Sequence, residues 1–421
     1  MKVLLINTYD DRGGAAIACN RLMKALQASG VQSKMLVLDS QSVDKDVISV
    51  NDSWAISKIN KFRFLWERFI IWAINRFSRK NLFAISIANT GVDISRLPEV
   101  READIIHLHW TNHGFLSLRD IKKLVALGKP VVWTMHDMWP ATGICHYSRE
   151  CVRYQDECGN CPFLEKPLLH DLSCRIFKKK QTADFDKITY VACSHWLEER
   201  VKTSALLKGV RLLSIPNPID ISKFTLRDKK TVREKYSWSE DKYYLLFGAV
   251  KISDPRKGAE YFFRALELLV TVRPELNDKI ELVFLGDSAL ELSSEIPYKA
   301  NFMGYLSQKE QVIDLYNAVD MFVIPSLEDN LPNTIMESMA CGTPVVGFNT
   351  GGIPEMIDHK INGYVAEYKN SEDLMAGICW VLLKADYQKL SESSIQKVCA
   401  CYSEEKVSAQ YIDLYTQLIK R

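Results

Sequence analysis

Two acidic side chains, Asp329 and Glu337, stand eight positions apart at the two ends of a loop that leads into a predicted helix. The apolar run 321–324 predicts a short strand that stops at Pro325, and the polar residues after it predict the loop. Both carboxylates are therefore expected at the carboxyl edge of a strand, where open α/β sheets bind ligands. Glu328 precedes Asp329 directly, so either acid can fill the first position of the pair.

Three cations, Lys251, Arg256 and Lys257, fall within seven positions between a predicted strand at 244–247 and a predicted helix at 259–270. Positive side chains in a loop that feeds the amino end of a helix suit a diphosphate. An ordinary solvated loop can carry the same charges, so the pattern alone leaves that alternative open.

A glycine pair, Gly13 and Gly14, separates a predicted strand at 2–7 from a predicted helix at 15–28. A strand, a glycine-rich loop and a helix in that order present free backbone N–H groups to an anion. Such a pair can also serve only the turn.

Several histidines follow predicted strands. His136 comes directly after the predicted strand 130–135 and stands beside Asp137. This position at a strand end favours a functional role for His136. His109 ends the predicted strand 104–109 and His113 follows it, and for both a structural role is equally compatible with the sequence.

Four cysteines, Cys145, Cys151, Cys158 and Cys161, fall within 17 positions of a polar stretch, and the last two form Cys-Gly-Asn-Cys. This spacing is typical of a structural zinc site, although five residues separate the first pair, more than in a usual knuckle. The alternative is a loop of buried thiols that binds no metal.

Residues 54–80 predict a basic amphipathic helix, because apolar side chains recur at helical spacing among many cations and one acid, Glu67. The apolar positions are Ile59, Phe62, Trp66, Phe69, Ala73 and Phe77, and the cations are Lys58, Lys61, Arg63, Arg68, Arg76, Arg79 and Lys80. Helices of this kind commonly lie in a membrane interface. The alternative is a helix whose apolar stripe packs on its own domain, with the basic face in water.

The length and composition of the chain indicate a globular protein of two domains. It has 421 residues, of which 47% are hydrophobic and 25% charged, and its net charge of +2 gives no overall attraction to nucleic acid or membrane. No uninterrupted apolar run predicts a transmembrane helix, and the amino terminus does not read as a signal peptide. Eleven cysteines without a secretion signal favour a reducing compartment.

The stretch 325–355 resembles the signature of the retaining glycosyltransferases of family 4, which have the GT-B fold. The matching features are Pro-Ser at 325, the acid-x7-Glu spacing, Ala-Cys-Gly-Thr-Pro-Val-Val at 340–346, Gly-Gly-Ile-Pro-Glu at 351–355 and Lys-Gly at 257. Two positions depart from the family: Asp329 replaces the usual glutamate, and Lys251 replaces the usual arginine. Residues 133–162 also resemble a bacterial subgroup that makes extracellular polysaccharides.

The resemblance implies a role for each part of the site. Glu337 would hold the ribose of a nucleoside diphosphate sugar, Asp329 or Glu328 would contact the sugar, and His136 would sit at the reacting sugar. Lys251, Lys257 and the Gly14 amide would meet the diphosphate, so no catalytic cofactor is expected. The implied catalytic residues are His136, Lys257, Asp329 and Glu337, and the implied substrate-binding residues are Gly13, Gly14, Lys251, Arg256, Met303, Gly304, Tyr305, Glu328, Asn330 and Leu331.

The expected fold is α/β, with two Rossmann-like domains that face each other across a cleft. Residues 1–218 would form the acceptor-side domain, 219–403 the nucleotide-sugar domain, and 404–421 a terminal helix that returns to the first domain. The expected enzyme transfers a sugar, with retention, to a glycan or lipid-linked acceptor in cell-surface polysaccharide synthesis. It would act in the cytoplasm, at the inner face of the plasma membrane. The alternatives are another GT-B enzyme, such as a sugar-nucleotide epimerase, or an inactive nucleotide-sugar-binding module.

Overall fold

The computed structural model describes residues 1–251, 254–287, 296–306 and 308–420 and divides into two α/β units. The first unit comprises Met1–Pro218 and the segment that begins at Val407, and the second comprises Ile219–Lys406. Each unit is built on one sheet in which all pairings between strands are parallel. The predicted pair of Rossmann-like domains is therefore confirmed.

The first unit contains a seven-stranded sheet. Its strands are β1 (Lys2–Tyr9), β2 (Gln32–Asp39), β3 (Val47–Ser49), β4 (Ile105–Leu108), β5 (Val131–Met135), β6 (Thr189–Ala192) and β7 (Leu212–Ser214). Its first six helices are α1 (Gly14–Ala28), α2 (Trp54–Ile74), α3 (Pro98–Glu102), α4 (Leu118–Val125), α5 (Leu172–Gln181) and α6 (His195–Lys202). The strands follow the order β3-β2-β1-β4-β5-β6-β7, so the chain reverses direction across the sheet between β1 and β4.

The central strands of this sheet are buried on both faces. Along β1, Leu4 and Ile6 belong to one apolar cluster, whereas Val3 and Leu5 belong to another. This alternation follows from the two-residue period of a strand, which sends successive side chains to opposite faces. Sequences of this kind read as continuous apolar runs, which is why β1 was predictable.

The second unit contains a six-stranded sheet. Its strands are β8 (Tyr243–Lys251), β9 (Ile280–Asp287), β10 (Lys299–Gly304), β11 (Met321–Ile324), β12 (Val345–Phe348) and β13 (Gly363–Ala366). Its helices are α7 (Lys229–Lys235), α8 (Ala259–Val272), α9 (Lys309–Ala318), α10 (Asn333–Ala340), α11 (Ile353–Met356), α12 (Ser371–Leu383) and α13 (Tyr387–Cys401). The strand order β10-β9-β8-β11-β12-β13 places the reversal between β8 and β11. Ligands of such sheets bind at the carboxyl ends of the strands beside the reversal.

The last helix, α14 (Glu404–Ile419), packs on the first unit, as predicted. Its buried side chains join the apolar cluster that contains Val3 and Leu5. These side chains are Val407, Tyr411, Leu414 and Tyr415. The helix thus covers one face of a sheet whose first strand begins at residue 2.

A buried histidine links this helix to the sheet. His107 of β4 forms one hydrogen bond between Nε2 and Oγ1 of Thr134, at 2.8 Å, and another between Nδ1 and the hydroxyl of Tyr415, at 2.7 Å. Thr134 is also bonded to the hydroxyl of Tyr411 at 2.8 Å. Burial lowers the pKa of His107 to about 3, and the nearby His136 adds to the shift. His107 is therefore neutral in the folded protein near neutral pH.

The predicted helix at 54–80 is shorter than expected. Helix α2 starts after the capping residue Ser53 and ends at Ile74, and Arg76 and Phe77 then adopt left-handed backbone angles, with φ of 55° and 62°. Asn75 closes the helix, and its side chain accepts a hydrogen bond from the backbone N–H of Glu165 at 2.7 Å. Residues 75–80 therefore form a turn rather than another helical turn.

Arg68 is not part of a basic surface, and that part of the prediction is wrong. It is 5% exposed, and its guanidinium donates to the carbonyl of Ile85 at 2.9 Å and pairs with the buried Glu67 at 3.1 Å. Glu67 in turn accepts hydrogen bonds from the backbone N–H groups of Ile87 and Ala88. Buried charges of this kind are retained only when paired. Among the described helices, α2 included, none is both long and apolar enough to cross a membrane.

The buried His107 predicts a pH dependence of stability. An unfolded histidine has a pKa of about 6.5, so below that pH the unfolded chain binds a proton that the folded chain excludes. The free energy of unfolding should therefore fall as the pH is lowered from about 6.5 toward about 3, and His107 should contribute about 1.4 kcal/mol per pH unit. His107→Gln, which keeps hydrogen-bonding groups but cannot be charged, should flatten this slope in denaturant unfolding curves. An identical slope in the parent and the variant would contradict the assignment.

Candidate active site

The loop after β11 and the turn before α8 form one packed assembly in the second unit. The backbone N–H of Leu327 donates to the carbonyl of Arg256 at 2.7 Å. Gly258 has φ of +67°, and a Cβ at this position would lie 1.9 Å from the carbonyl oxygen of Pro325. A side chain cannot fit there, so the Lys-Gly pair brings the cationic turn against the acidic loop.

An ion pair joins the turn that contains Lys257 to the loop that contains Asp329. Nζ of Lys257 lies 2.7 Å from Oδ2 of Asp329, and both side chains are half-buried. Lys257 ends a short 3-10 turn, and α8 starts two residues later, so Lys257 stands just before the amino end of that helix. The predicted neighbour Arg256 instead pairs with Asp254 at 2.6 Å.

The glycine pair Gly351-Gly352 positions the main chain at Asp329. Gly351 has φ of +58°, and a Cβ there would lie 1.7 Å from the carbonyl oxygen of Asp329. That carbonyl also accepts a hydrogen bond from the backbone N–H of Gly352 at 3.2 Å. Gly351 and Gly352 therefore let a second chain segment touch the acidic loop, and this contact fixes the main chain that carries the carboxylate.

Glu337 lies inside α10 and is 8% exposed. One of its carboxylate oxygens accepts a hydrogen bond from the hydroxyl of Tyr316 of α9 at 3.2 Å. The residue after Asp329, Asn330, and its neighbour Leu331 are buried, whereas Glu328 is half-buried. The two acids of the predicted pair thus differ, since Asp329 meets a cation and Glu337 meets a phenol.

The remaining predicted residues of this unit lie at other strand ends. Met303 and Gly304 finish β10, and Gly304 and Tyr305 are exposed, the latter to 66%. They share the carboxyl edge of the sheet with the acidic loop, but β10 is the edge strand. The side chain of Lys251 lies outside the described residues, so its predicted role stays a prediction.

In the first unit, Gly13 and Gly14 stand at the start of α1, as predicted. Gly13 is the residue before the helix, with φ of 86°, and no atom would lie within 4 Å of a Cβ at this position. The buried Asp10 shapes the loop, because its carboxylate accepts hydrogen bonds from Ser40 and the backbone N–H of Ser42. Burial opposes ionisation of Asp10, but these hydrogen bonds outweigh it and lower the pKa of the carboxyl.

His136 forms a pair with His109 that spacing alone did not predict. Nε2 of His136 lies 2.9 Å from Nδ1 of His109, so one ring donates to the other. Burial lowers the pKa of His136 to about 4, although Asp137 opposes the shift. Burial and the neighbouring rings of His107 and His136 also hold the pKa of His109 well below its usual value. The pair is therefore neutral, and it offers hydrogen bonds rather than positive charge.

A second network lies directly after His136. Asp137 accepts hydrogen bonds from the indole of Trp110 at 2.9 Å and from the backbone N–H of Trp139 at 2.8 Å, and it pairs with Nδ1 of His146 at 2.7 Å. Burial raises the pKa of Asp137, but these partners reverse the shift and leave the pKa lowered. The ring of His113 packs edge-on against Trp110, with ring centres 4.6 Å apart, and its Nδ1 lies 3.4 Å from the hydroxyl of Tyr9.

Three parts of the site were missed from the sequence: Asp10, the His109–His136 pair and the Asp137–His146 pair. The sequence signal for the last was present, since His146 stands inside the cysteine-rich stretch and Asp137 beside the predicted His136. The closeness of Asp137 and His146 in sequence does not show that their side chains meet. The contact depends on the loop between them, which brings His146 back to Asp137 in the folded protein.

The four predicted cysteines line one small cavity in the first unit. Cys145, Cys158 and Cys161 are buried and Cys151 is half-buried, and all are free thiols. Burial raises the pKa of Cys158 to about 11 and that of Cys161 to about 12, so without a metal these groups are protonated. A different trio, Glu157, His170 and Cys174, has ligand atoms within 4.8 Å of one another.

The sequence matches two family models, which together span most of the chain. One, described as Glycosyltransferase Family 4, matches residues 12–223, and the other, described as Glycosyl transferases group 1, matches residues 241–384. A full-length relative is the putative colanic acid biosynthesis glycosyl transferase WcaC of Escherichia coli K12. It is 24% identical over 433 residues, which cover 99% of this chain and 100% of WcaC.

Two solved structures have similar folds along their whole length. Sucrose-phosphate synthase of Thermosynechococcus elongatus is 16% identical, with a TM-score of 0.68 and coverage of 100% of this chain and 99% of its own. Anabaena HepE in complex with UDP-glucose is 15% identical, with a TM-score of 0.62 and coverage of 99% and 100%. These likenesses establish the fold class, which is the GT-B arrangement of two Rossmann-like units.

The contact between Gly258 and Pro325 predicts that one added methyl group at position 258 will lower the stability of the second unit strongly. Gly304→Ala serves as the matched control, because Gly304 has a similar φ of +62° in the same unit and open space around it. The control should cost about 1 kcal/mol of stability for the left-handed backbone alone. Gly258→Ala should cost about 2 kcal/mol more, because the loop must also move. Pulse proteolysis of the second unit across a urea series measures both, and equal losses would rule out the packing constraint.

Proposed function

We propose that this protein, which belongs to glycosyltransferase family 4, transfers a glycosyl group with retention from a nucleoside diphosphate sugar to a glycan or lipid-linked acceptor. The full-length similarity to WcaC supports a role in cell-surface polysaccharide synthesis. HepE, which shares the fold, binds UDP-glucose, and this supports a nucleotide sugar as the donor. The observation that carries the proposal is the Lys257–Asp329 ion pair beside the amino end of α8.

Lys257 is proposed to neutralise the leaving diphosphate. When the bond between the anomeric carbon and the diphosphate breaks, positive charge develops on the sugar and negative charge on the leaving oxygen. An ammonium at a helix amino end suits that negative charge, because the free N–H groups of the helix add to it. With Arg256 in the same turn, the chain supplies the positive charge itself, and we expect no catalytic metal.

Asp329 is proposed to fill the first acidic role. Its carboxylate holds the Lys257 ammonium in place at 2.7 Å, so a donor whose diphosphate meets Lys257 would bring its sugar close to Asp329. A carboxylate accepts hydrogen bonds from sugar hydroxyls. The half-buried Glu328 then belongs to the surrounding loop, together with the buried Asn330 and Leu331.

Glu337 is proposed to hold the ribose, and Tyr316 orients its carboxylate through the hydrogen bond at 3.2 Å. Met303, Gly304 and Tyr305 are proposed to contact the base at the end of β10. In the first unit, the amide at Gly14 and the neutral imidazole of His136 are proposed to contact the donor. His109 would position His136 and fix its tautomer.

The Lys257 hypothesis predicts a loss of turnover. Lys257→Ala should lower turnover by roughly a hundredfold or more at saturating donor, because the negative charge on the diphosphate increases as the bond to the sugar breaks. Glu337→Gln should mainly weaken donor binding, since the ribose is unchanged during transfer. Lys230→Ala is the matched control, because that lysine lies on the surface of the same unit in a pair with Glu240.

The measurement is release of nucleoside diphosphate with and without acceptor. Turnover of Lys257→Ala within a few-fold of the parent would refute the proposed site. A new sugar nucleotide that forms without acceptor and without net release of nucleoside diphosphate would indicate an epimerase. A donor that is neither transferred nor altered would indicate an inactive nucleotide-sugar-binding module. Each of these outcomes contradicts the proposed transfer.

Helix α2 is proposed to contact an anionic membrane surface. Its outer face carries exposed aromatic side chains: Phe62 is 63% exposed, Trp66 43% and Phe69 50%. Phe62 stacks on Trp66 with ring centres 6.1 Å apart, and Trp66 on Phe69 at 5.7 Å. The alternative in which this stripe packs on its own unit is therefore wrong. A contiguous exposed apolar ridge marks a surface for interaction.

The charges around this ridge favour an anionic partner. Five cations of the segment are exposed: Lys58, Lys61, Arg76, Arg79 and Lys80. The one acid within residues 54–80, Glu67, is buried under Arg68. Aromatic side chains flanked by cations suit the headgroup region of an anionic bilayer, which is also where a lipid-linked acceptor is found.

This surface predicts binding to vesicles. The protein should sediment with vesicles rich in phosphatidylglycerol at low salt, and Phe62→Ser with Trp66→Ser and Phe69→Ser should lower the bound fraction at least tenfold by loss of buried apolar area. Leu168→Ser with Leu169→Ser is the matched control, because these leucines are 50% and 63% exposed elsewhere on the unit. Equal binding of the parent and the triple variant would refute the contact.

A further inference from the structure

We propose that Glu157, His170 and Cys174 bind one zinc ion at the surface of the first unit. Among the residues that the structure describes, these three are the one group of three or more histidine, cysteine or carboxylate side chains whose ligand atoms all lie within 4.8 Å of one another. None of the three is among the residues assigned to glycosyl transfer. The proposal therefore stands or fails independently of that activity.

The spacing of the ligand atoms fits tetrahedral zinc. Sγ of Cys174 lies 3.1 Å from Oε1 of Glu157 and 3.7 Å from Nδ1 of His170. Zinc binds sulfur at about 2.3 Å and nitrogen or oxygen at about 2.0 Å, so two of its ligands in a tetrahedron lie about 3.5 Å apart. The three side chains can therefore surround an ion after small rotations, and water would fill the fourth position.

A main-chain contact brings the segments of Glu157 and His170 together. Gly159 follows Glu157 by two positions, and Leu169 directly precedes His170. A Cβ at Gly159 would lie 2.3 Å from the carbonyl oxygen of Leu169, so the two segments touch where no side chain fits. The loop between the two ligands is thus closed at its base before any metal binds.

The start of α5 fixes the position of Cys174. Asp171 caps this helix, and its carboxylate accepts hydrogen bonds from the backbone N–H groups of Ser173 at 2.9 Å and Cys174 at 3.3 Å. The same carboxylate accepts from the backbone N–H of Cys161 at 2.8 Å, which ties the loop to the helix. His170 and Cys174 therefore stand on either side of one buried capping residue.

The chemistry of the three ligands suits zinc. Zinc accepts thiolate, imidazole and carboxylate together, whereas magnesium and calcium prefer oxygen ligands alone. With one thiolate, one carboxylate and a neutral imidazole, the bound ion has no net charge, so the site needs no further counter-charge. Burial and the hydrogen bond to Glu157 raise the pKa of the Cys174 thiol, so the metal must displace its proton.

The same side chains also make contacts that need no metal. The thiol of Cys174 donates to Oε1 of Glu157, and Lys178 pairs with that oxygen at 2.8 Å. A carboxylate has a second oxygen, so Glu157 can bind zinc through Oε2 and keep Lys178 at Oε1. These contacts hold the ligands close together in the metal-free protein. The ammonium of Lys178 repels the cation, so it should weaken zinc binding.

The four cysteines whose spacing predicted zinc form a poorer site. In the described part of the chain, no three of their sulfurs lie within 4.8 Å of one another. Four thiolates around zinc would lie about 3.8 Å apart. The favoured metal ligands thus stand beside the cysteine cluster rather than in it. The cysteines of the cluster are Cys145, Cys151, Cys158 and Cys161.

The test is zinc binding by the full-length protein after treatment with a chelator, measured in competition with a chromophoric chelator. The parent should bind about one zinc per chain. Cobalt in its place should give a tetrahedral spectrum with the charge-transfer band of a thiolate, and Cys174→Ser should abolish that band. His170→Ala, a change at an exposed residue, should lower zinc affinity at least about tenfold.

Two variants serve as matched controls and should leave the affinity unchanged. His195→Ala removes another exposed histidine, which lies 3.2 Å from the carboxylate of Glu198, and Cys151→Ser removes a thiol of the cluster. Lys178→Met should tighten zinc binding several-fold, a gain that damage to the fold cannot produce.

Three results would overturn the proposal. The first is a parent protein that binds no zinc, and the second is cobalt bound without a thiolate band. The third is zinc affinity that is kept in His170→Ala but lost in His195→Ala or Cys151→Ser. If Cys174→Ser is insoluble, the cobalt spectrum of the parent and the affinity of His170→Ala decide.

Discussion

The second unit depends on a contact between two main-chain segments that leaves no room for a side chain. Gly258 lies against the carbonyl of Pro325, and Gly351 lies against the carbonyl of Asp329. These two close backbone contacts hold three segments together at the carboxyl edge of one sheet. The segments are the turn that contains Lys257, the loop that contains Asp329 and the turn that contains Gly351. The Lys257–Asp329 ion pair is then a consequence, because the backbone contacts already bring its two side chains within reach.

The candidate residues of the two units differ in charge. In the second unit a positive charge is kept and paired, through Lys257 and Asp329. In the first unit burial lowers the pKa of His136 and of His107, so the histidines act as neutral hydrogen-bonding groups. The second unit thus offers one charged centre, suited to a diphosphate, and the first unit offers uncharged polar groups, suited to hydroxyls. This division follows from where the polypeptide excludes water.

Much of the fold was predictable because its signals are local. The apolar runs of β1 and β11 and the glycines at helix ends are read within a few residues, and the acid-x7-Glu spacing lies within a single loop and helix. The partner of Asp329 was not predictable, since Lys257 stands 72 positions away and nothing in the sequence pairs them. Arg68 was assigned wrongly for a related reason. Helical spacing gives the faces of α2, but it does not tell which face the protein covers, and the covered face is the one with Glu67 and Arg68.

The position of α14 at residues 404–419 determines when the first unit can complete its fold during translation. Helix α1 and the helix that begins at Glu404 pack on the same face of the first sheet, so the part that α14 covers stays open while the whole second unit is being translated. The second unit has its own sheet and apolar cluster within Ile219–Lys406 and therefore can fold first on the ribosome. The amino-terminal unit is completed last, when Tyr411 and Tyr415 reach Thr134 and His107. Until that moment the part of this face that α14 covers is an exposed apolar surface.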